Sequence, residues 1–241
     1  MILNGKNLGF GRANNIGLQI ALQERADFVY LLNQDAWVEE TTFEVLIEAL
    51  RRHSEFCLMS PWQVFPDRNT EYWFDVFFQN REHSQVDYPE EGIFQSDSPA
   101  AHWMLSRECI EKVGGFSPSF HHYGEDENYM QRIKWHGMKA GVCRSAIAVH
   151  DTGVREQSLE QKFYREYVAE IVKFSNPGNT SSRILILWDY FIFALRSAKQ
   201  YKTFMPIRYF LRFVFSSRKM YESLECSKSK CAFLTSDSAK Q

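Results

Sequence analysis

The chain has 241 residues, with 28 Lys and Arg against 30 Asp and Glu and a formal net charge of −2 at pH 7, so it is not a uniformly basic nucleic-acid binder. Hydrophobic residues make up 44% and aromatics 15%, enough to build a packed core and to exclude disorder as the principal state. The charge is uneven: eleven Lys and Arg stand against four Asp and Glu from Arg183 onward, and 17 against 26 before it. This predicts an acidic region suited to a metal-dependent site, and a basic region suited to an anionic surface such as a membrane leaflet.

Met1–Gly11 carries neither a basic n-region nor an apolar h-region, so no secretory leader is expected. The glycine-rich run Gly9–Asn15 feeds a helix, where unpaired backbone N–H groups and Arg12 could meet an anion. It holds neither G-x-G-x-x-G nor the GK[ST] of a P-loop. Asn14 and Asn15 are good N-cap types, and the helix is predicted over Ile16–Gln23. Phe28–Leu32 reads as a buried strand that stops at Asn33-Gln34-Asp35. Phe43, Leu46, Ile47 and Leu50 recur at helical spacing, and Cys57–Pro61 reads as the next strand. Helix and strand alternate, which predicts an α/β fold with a mixed, mostly parallel sheet flanked by helices.

Pro66–Pro99 is long, aromatic and irregular, a candidate cover for a site. A strand over His102–Leu105, a short helix over Arg107–Val113, a helix over Asp126–His136 and a strand over Gly141–His150 follow. Phe163, Tyr167, Ile171 and Phe174 mark another helix, which Asn176-Pro177-Gly178-Asn179 breaks. Between Ile184 and Phe215, ten aromatics interleave with Arg196, Lys199, Lys202, Arg208 and Arg212. This is the composition of an interfacial helix pair, or of helices that pack back onto the domain as core. No stretch approaches the roughly 20 apolar residues of a membrane span. The expected organisation is a domain over 1–175, a basic aromatic helical tail over 176–225 and a disordered end over 226–241. Five widely spaced cysteines without a C-x-x-C pair fit a reduced, cytoplasmic compartment.

Three places carry candidate chemistry. Asp35 stands just beyond a strand end, where α/β sheets place ligands; one carboxylate there suffices for Mg²⁺ or Mn²⁺, which draw other ligands from phosphates and water. Alternatively it caps the turn. Glu125, Asp126 and Glu127 open a helix, where they match its dipole, or where mutual repulsion raises one pKa toward that of a general base. His150 ends a strand and either completes a metal shell or is a satisfied core residue. The basic region has no nucleic-acid recognition motif.

Taken in order, these motifs resemble the family 2 glycosyltransferases of the GT-A fold, in particular the bacterial rhamnosyltransferase-like branch. Asn7-Leu8-Gly9-Phe10-Gly11-Arg12-Ala13-Asn14-Asn15-Ile16-Gly17 is similar to the branch's N-x-G-F-x-x-A-N-N-x-G segment, and Leu31-Leu32-Asn33-Gln34-Asp35 to its form of the D-x-D motif. Trp103-Met104-Leu105, Val113-Gly114-Gly115-Phe116, Tyr123-Gly124-Glu125-Asp126 and His150 follow in the family's order. The resemblance implies a nucleotide-sugar donor bound through Arg12, Asn15, Asn33 and Asp35, with Asp35 and His150 on a divalent cation. It also implies that Asp126 is the general base, supported by Glu125, in a single inverting displacement. The acceptor would be a glycan or lipid-linked sugar at the cytoplasmic membrane face, with 184–215 on the membrane. The family's opening strand, helix and strand, with their nucleotide-base contacts, have no counterpart before Met1. The alternative expectation is therefore a catalytically inactive GT-A-like binding module.

Overall fold

The computed structural model describes residues 2–71, 74, 86–152 and 158–234. The chain divides into two compact units, one of Gly17–Lys112 and His136–Val154, the other of Met1–Ile16, Val113–Trp135 and Arg155–Gln241. The division falls within α1 (Phe10–Gln23). That helix starts earlier than predicted: Asn14 lies inside it, its amide donating to the Phe10 carbonyl one turn back.

The first unit is built on one sheet. Its strands are β1 (Phe28–Leu32), β2 (Ala36–Val38), β3 (Phe56–Val64), β4 (Val86–Tyr88), β5 (Ile93–Gln95), β6 (His102–Ser106) and β7 (Lys139–His150). They run in the order β1-β6-β3-β7-β5-β4, with β2 on β7. The mixed α/β architecture is as expected, but the sheet is not mostly parallel. Among the described residues only β3 and β7 pair in parallel, and the other pairings are antiparallel. A parallel pair needs a long crossover. The chain between β3 and β7 carries α3 (Arg107–Val113) and α4 (Glu125–Trp135), but helices also separate antiparallel partners: residues 42–52 lie between β1 and β6, and α3 and α4 between β5 and β7. Helix–strand alternation therefore overstated the number of parallel partners.

β3 is buried along all nine residues, as a central strand should be. Its Pro61 has no N–H to give the ladder and sits where the β3–β7 register shifts. β1 is more open than predicted; only Leu31 is buried, and among the described residues it pairs with β6 alone. Against the sheet, α2 (Thr42–Arg52) buries Leu46, Ala49 and Leu50 in a cluster with Phe56, Met59, Ile93 and Met104. Thr42 fastens its first turn, its hydroxyl donating to the Ile147 carbonyl at 2.6 Å.

The second unit is helical. α5 (Leu159–Ser175) opens with a capping box, in which Ser158 and Gln161 exchange side-chain and backbone hydrogen bonds. α6 (Arg183–Tyr201) and α7 (Met205–Ser227) follow. Tyr167, Ile171 and Phe174 of α5 share an apolar core with Ile186, Tyr190, Phe213 and Met220. The aromatic tail thus belongs with 113–135 and does not begin a separate body at 176. It is also amphipathic, because Ile184, Trp188, Phe204 and Phe215 of its outer stripes stay exposed, Phe215 by 83%.

Disorder from 226 is likewise corrected. Cys226–Leu234 ends α7 and turns back with Ala232, Phe233 and Leu234 buried, whereas 235–241 lies outside the described residues. The Ala232 carbonyl accepts from Gly115 N–H at 2.7 Å, and Phe233 lies on the Arg132 guanidinium, 4.9 Å from ring centroid to guanidinium carbon. Gly114 makes this fit: its φ is +86°, and an added Cβ would stand 2.1 Å from the Ala232 carbonyl oxygen. Gly114→Ala is expected to cost at least about 2 kcal/mol, from left-handed strain and overpacking together. Urea unfolding of the two proteins measures it; equal midpoints would mean the turn does not need glycine.

Candidate functional site

The sheet pairing assembles one cluster at the end of β7. β2 pairs antiparallel with β7, placing Ala36 opposite His150. Asp35 therefore lies beside Asp151, whose N–H donates to the Asp35 carbonyl at 2.9 Å. The Asp35 carboxylate then reaches His150, with Oδ1 3.6 Å from Nε2. Asp35 and His150, far apart in the chain, are thus brought together.

A third member had no sequence motif. β3 ends at Val64, in register with Val149 of the parallel β7. Beyond it a tight return pairs Val64 with Thr70 and lets Glu71 N–H donate to the Gln63 carbonyl at 3.1 Å. This delivers the Glu71 carboxylate to the far side of the imidazole, Oε1 3.4 Å from His150 Nδ1. The two flanks differ in access: the Glu71 side chain is 11% exposed and that of Asp35 42%. Pro66-Asp67-Arg68-Asn69 carries turn chemistry that signals such a return, but the pairing that aims Glu71 is not local.

Beneath this cluster lies a buried polar chain. His102 Nε2 is 3.0 Å from the Val149 carbonyl, an acceptor only, so Nε2 carries the proton. Nδ1 is left to accept from the Tyr30 hydroxyl at 2.9 Å. Burial, reinforced by the neighbouring His150, lowers the His102 pKa to about 4, and burial also pushes the Tyr30 phenol up. The neutral imidazole holds the backbone that carries His150.

In the helical unit, Glu125 opens α4 after Gly124, whose φ is +81° and whose added Cβ would stand 2.7 Å from Val168 Cγ1. Glu125 is buried, and its Oε2 has no hydrogen-bond partner among the described residues. Its pKa rises to about 7, by burial first and by the Asp126 charge beside it second. Asp126 is half-buried and accepts from the Glu127 N–H at 2.9 Å. Glu125 and Asp126 belong to one unit, Asp35, His150 and Glu71 to the other.

The remaining predicted residues part company. Asn15 clamps a backbone: its Nδ2 donates to the Phe116 carbonyl at 2.9 Å and its Oδ1 accepts the Phe116 N–H at 2.6 Å. With both ends of its amide engaged, Asn15 positions the Gly115–Phe116 turn. Arg12 is exposed on α1. Asn33 prolongs the β1–β6 ladder, its N–H donating to the Ala101 carbonyl at 3.1 Å.

No group of three or more His, Cys, Asp and Glu at metal-holding spacing occurs among the described residues. Asp35 with His150 instead offers two donors 3.6 Å apart. That fits a hard divalent cation which takes its remaining ligands from a diphosphate and water. Among the described residues no helix is long and apolar enough to cross a membrane.

Compared with known proteins, residues 1–114 match the family model described as Glycosyl transferase family 2. The matched stretch includes Arg12, Asn15, Asn33, Asp35 and Glu71 and ends before Glu125, Asp126 and His150. No curated protein sequence matches the chain. Among solved structures, the crystal structure of GalNAc-T7 with UDP, GalNAc and Mn²⁺ is similar at a TM-score of 0.42 and 13% identity, over 73% of this chain. The chain spans 38% of the length of that protein.

The His102 shift has a stability consequence. An imidazole with a folded pKa of about 4 against the usual 6.5 contributes stability that is present above 6.5 and lost as pH falls toward 4, because the unfolded chain takes up the proton first. Urea midpoints at pH 7 and pH 5 are expected to fall less in His102→Gln than in the wild type. An equal fall in both would assign the acid sensitivity elsewhere.

Proposed function

We propose that the protein is a glycosyltransferase of the family 2, GT-A type that transfers a sugar from a nucleotide-diphosphate donor to a hydroxyl of a glycan or lipid-linked acceptor. The observation that carries this reading is the Asp35–His150 pair at 3.6 Å, with Asp35 inside the stretch that matches the family model. An exposed carboxylate and an imidazole at the end of neighbouring strands are donors for Mg²⁺ or Mn²⁺. When bound, the cation would offset charge on the departing nucleoside diphosphate.

The chain's own residues take the other tasks. Arg12, Asn15 and Asn33 are assigned to the donor. Asp126 takes the proton from the acceptor hydroxyl while that oxygen bonds to the anomeric carbon and the bond to the diphosphate breaks. One displacement inverts the centre and needs no protein nucleophile. Glu125, whose carboxyl is still half protonated near pH 7, lies beside Asp126 and tunes its charge. The bacterial rhamnosyltransferase-like branch is the reading for the sugar class, with a cell-surface polysaccharide as the product.

A panel of sugar nucleotides with Mn²⁺ or Mg²⁺ tests the activity. Asp126→Asn is expected to lose at least about a hundredfold in rate with an unchanged urea midpoint. Glu125→Gln should keep measurable transfer and lose an inflection in the pH–rate profile near 7, since the ionising group is removed. Full turnover by Asp126→Asn would overturn the assignment of the base.

The outer stripes of α6 and α7 are assigned to the cytoplasmic face of a membrane. Exposed Phe204, Leu211 and Phe215 alternate with exposed Arg208, Arg212 and Arg218 along α7. Aromatics with interleaved cations suit an anionic leaflet. Co-sedimentation with phosphatidylserine vesicles should be strong at low salt and fall in Phe204→Ser/Phe215→Ser. Equal sedimentation with neutral vesicles, or none at low salt, would remove the membrane from the reading.

A further inference from the structure

We propose that Glu71 is a positioning residue for His150: its carboxylate accepts a hydrogen bond from the Nδ1–H and keeps the proton on Nδ1, so that the Nε2 lone pair, and not an N–H, faces Asp35. The inference rests on the reading that Asp35 and His150 hold the donor's cation. Three observations support it. The Glu71 and Asp35 carboxylates stand at opposite ring nitrogens, 3.4 Å from Nδ1 and 3.6 Å from Nε2. Glu71 is buried, and neither its Oε2 nor His150 Nδ1 has a hydrogen-bond partner among the described residues. Finally, the return that carries Glu71 is fastened at both ends, by the Glu71 N–H to Gln63 and by an ion pair of Arg68 with Glu39 just beyond β2.

The physical argument follows from access and charge. A neutral imidazole carries one proton, and the two flanks compete for it. On the Glu71 flank solvent cannot serve either group, so an unshared N–H or carboxylate there forfeits its hydrogen bonds at a cost of about 1–3 kcal/mol. On the Asp35 flank, water can satisfy what the ring does not. The proton therefore belongs on Nδ1. Nε2 and the Asp35 carboxylate then present two electron-rich donors to one another in the more open place, and a divalent cation relieves their repulsion. A carboxylate behind a metal-binding histidine fixes the tautomer and ring orientation, and its loss typically weakens the metal 10–100-fold.

The test uses the full chain with ¹⁵N-labelled histidine and Mn²⁺ alone as the probe. Without metal, His150 in the wild type is expected to show the ¹⁵N shifts of the Nδ1–H tautomer, and Glu71→Ala those of Nε2–H or an exchanging mixture. Paramagnetic broadening of the His150 ring is expected to need about ten- to a hundredfold more Mn²⁺ in Glu71→Ala, with Glu71→Gln in between and the urea midpoints of Glu71→Gln and wild type alike. If the wild type shows Nε2–H, or if Glu71→Ala responds to Mn²⁺ as the wild type does while Asp35→Asn is insensitive, the positioning role is wrong and the metal reading stands. If Mn²⁺ broadens His150 equally in wild type and Asp35→Asn, or in neither, the metal reading itself fails and Glu71 loses its role with it.

Discussion

The parallel pairing of β3 with β7 is the constraint on which the sheet unit turns. Two parallel strands end at the same side, so everything that follows β3 and everything attached to the last residues of β7 must meet there. His150 terminates β7, β2 lies antiparallel on its last three residues with Asp35 immediately before, and the return after Val64 brings back Glu71. The cluster follows from register together with the tight return, in which Arg68 takes a left-handed φ of +70°. Its support is equally regular: Tyr30 of β1 and His102 of β6 stand in neighbouring strands, and His102 reaches across to the Val149 carbonyl.

The helical unit depends on a different device. Arg132 of α4 is fully buried and donates to the carbonyls of Val113 and Gly115, with the rings of Tyr129 and Phe233 against its guanidinium. Burying a cation is costly unless its donors are matched, and turn carbonyls match a planar fork well. Asn15 holds the same turn from the other end by its two bonds to Phe116, and Tyr129 donates to the Gly114 carbonyl at 2.9 Å. The Gly114–Gly115 turn is thus fixed on several sides, with Ala232 and Leu234 filling the space its missing side chains leave.

What the sequence reveals and what it hides separate along physical lines. Local periodicity locates α2 and α4 within a residue or two, and the end but not the start of α5, because an apolar face at helical spacing means the same thing wherever it packs. The start of α1 is hidden because Gly9 and Gly11 read as a loop. In fact Gly11 is where the helix approaches Phe116, whose Cβ would stand 2.9 Å from an added methyl. Asp35 and His150 are legible because each follows a strand end. Glu71 is not, since its partner lies 79 positions away and only long-range pairing joins them. Strand direction is the largest misreading: helices separate β1 from β6 and β5 from β7 along the chain, yet both pairs are antiparallel. The basic aromatic tail combines both of the roles its composition allows, one stripe in the core and one at the surface.

Pro61 gives β3 a further property. The irregularity beside it lets a single strand feed two separate apolar clusters, Phe56 and Met59 in one, Trp62 and Val64 in the other. A bulge of this kind sets the parity of every side chain downstream of it. Inserting or deleting one residue there would move Trp62 and Val64 to the opposite face of the sheet and swing the return behind them through half a turn. The imidazole at the end of β7 would then lose its rear neighbour although every motif in the sequence stayed intact.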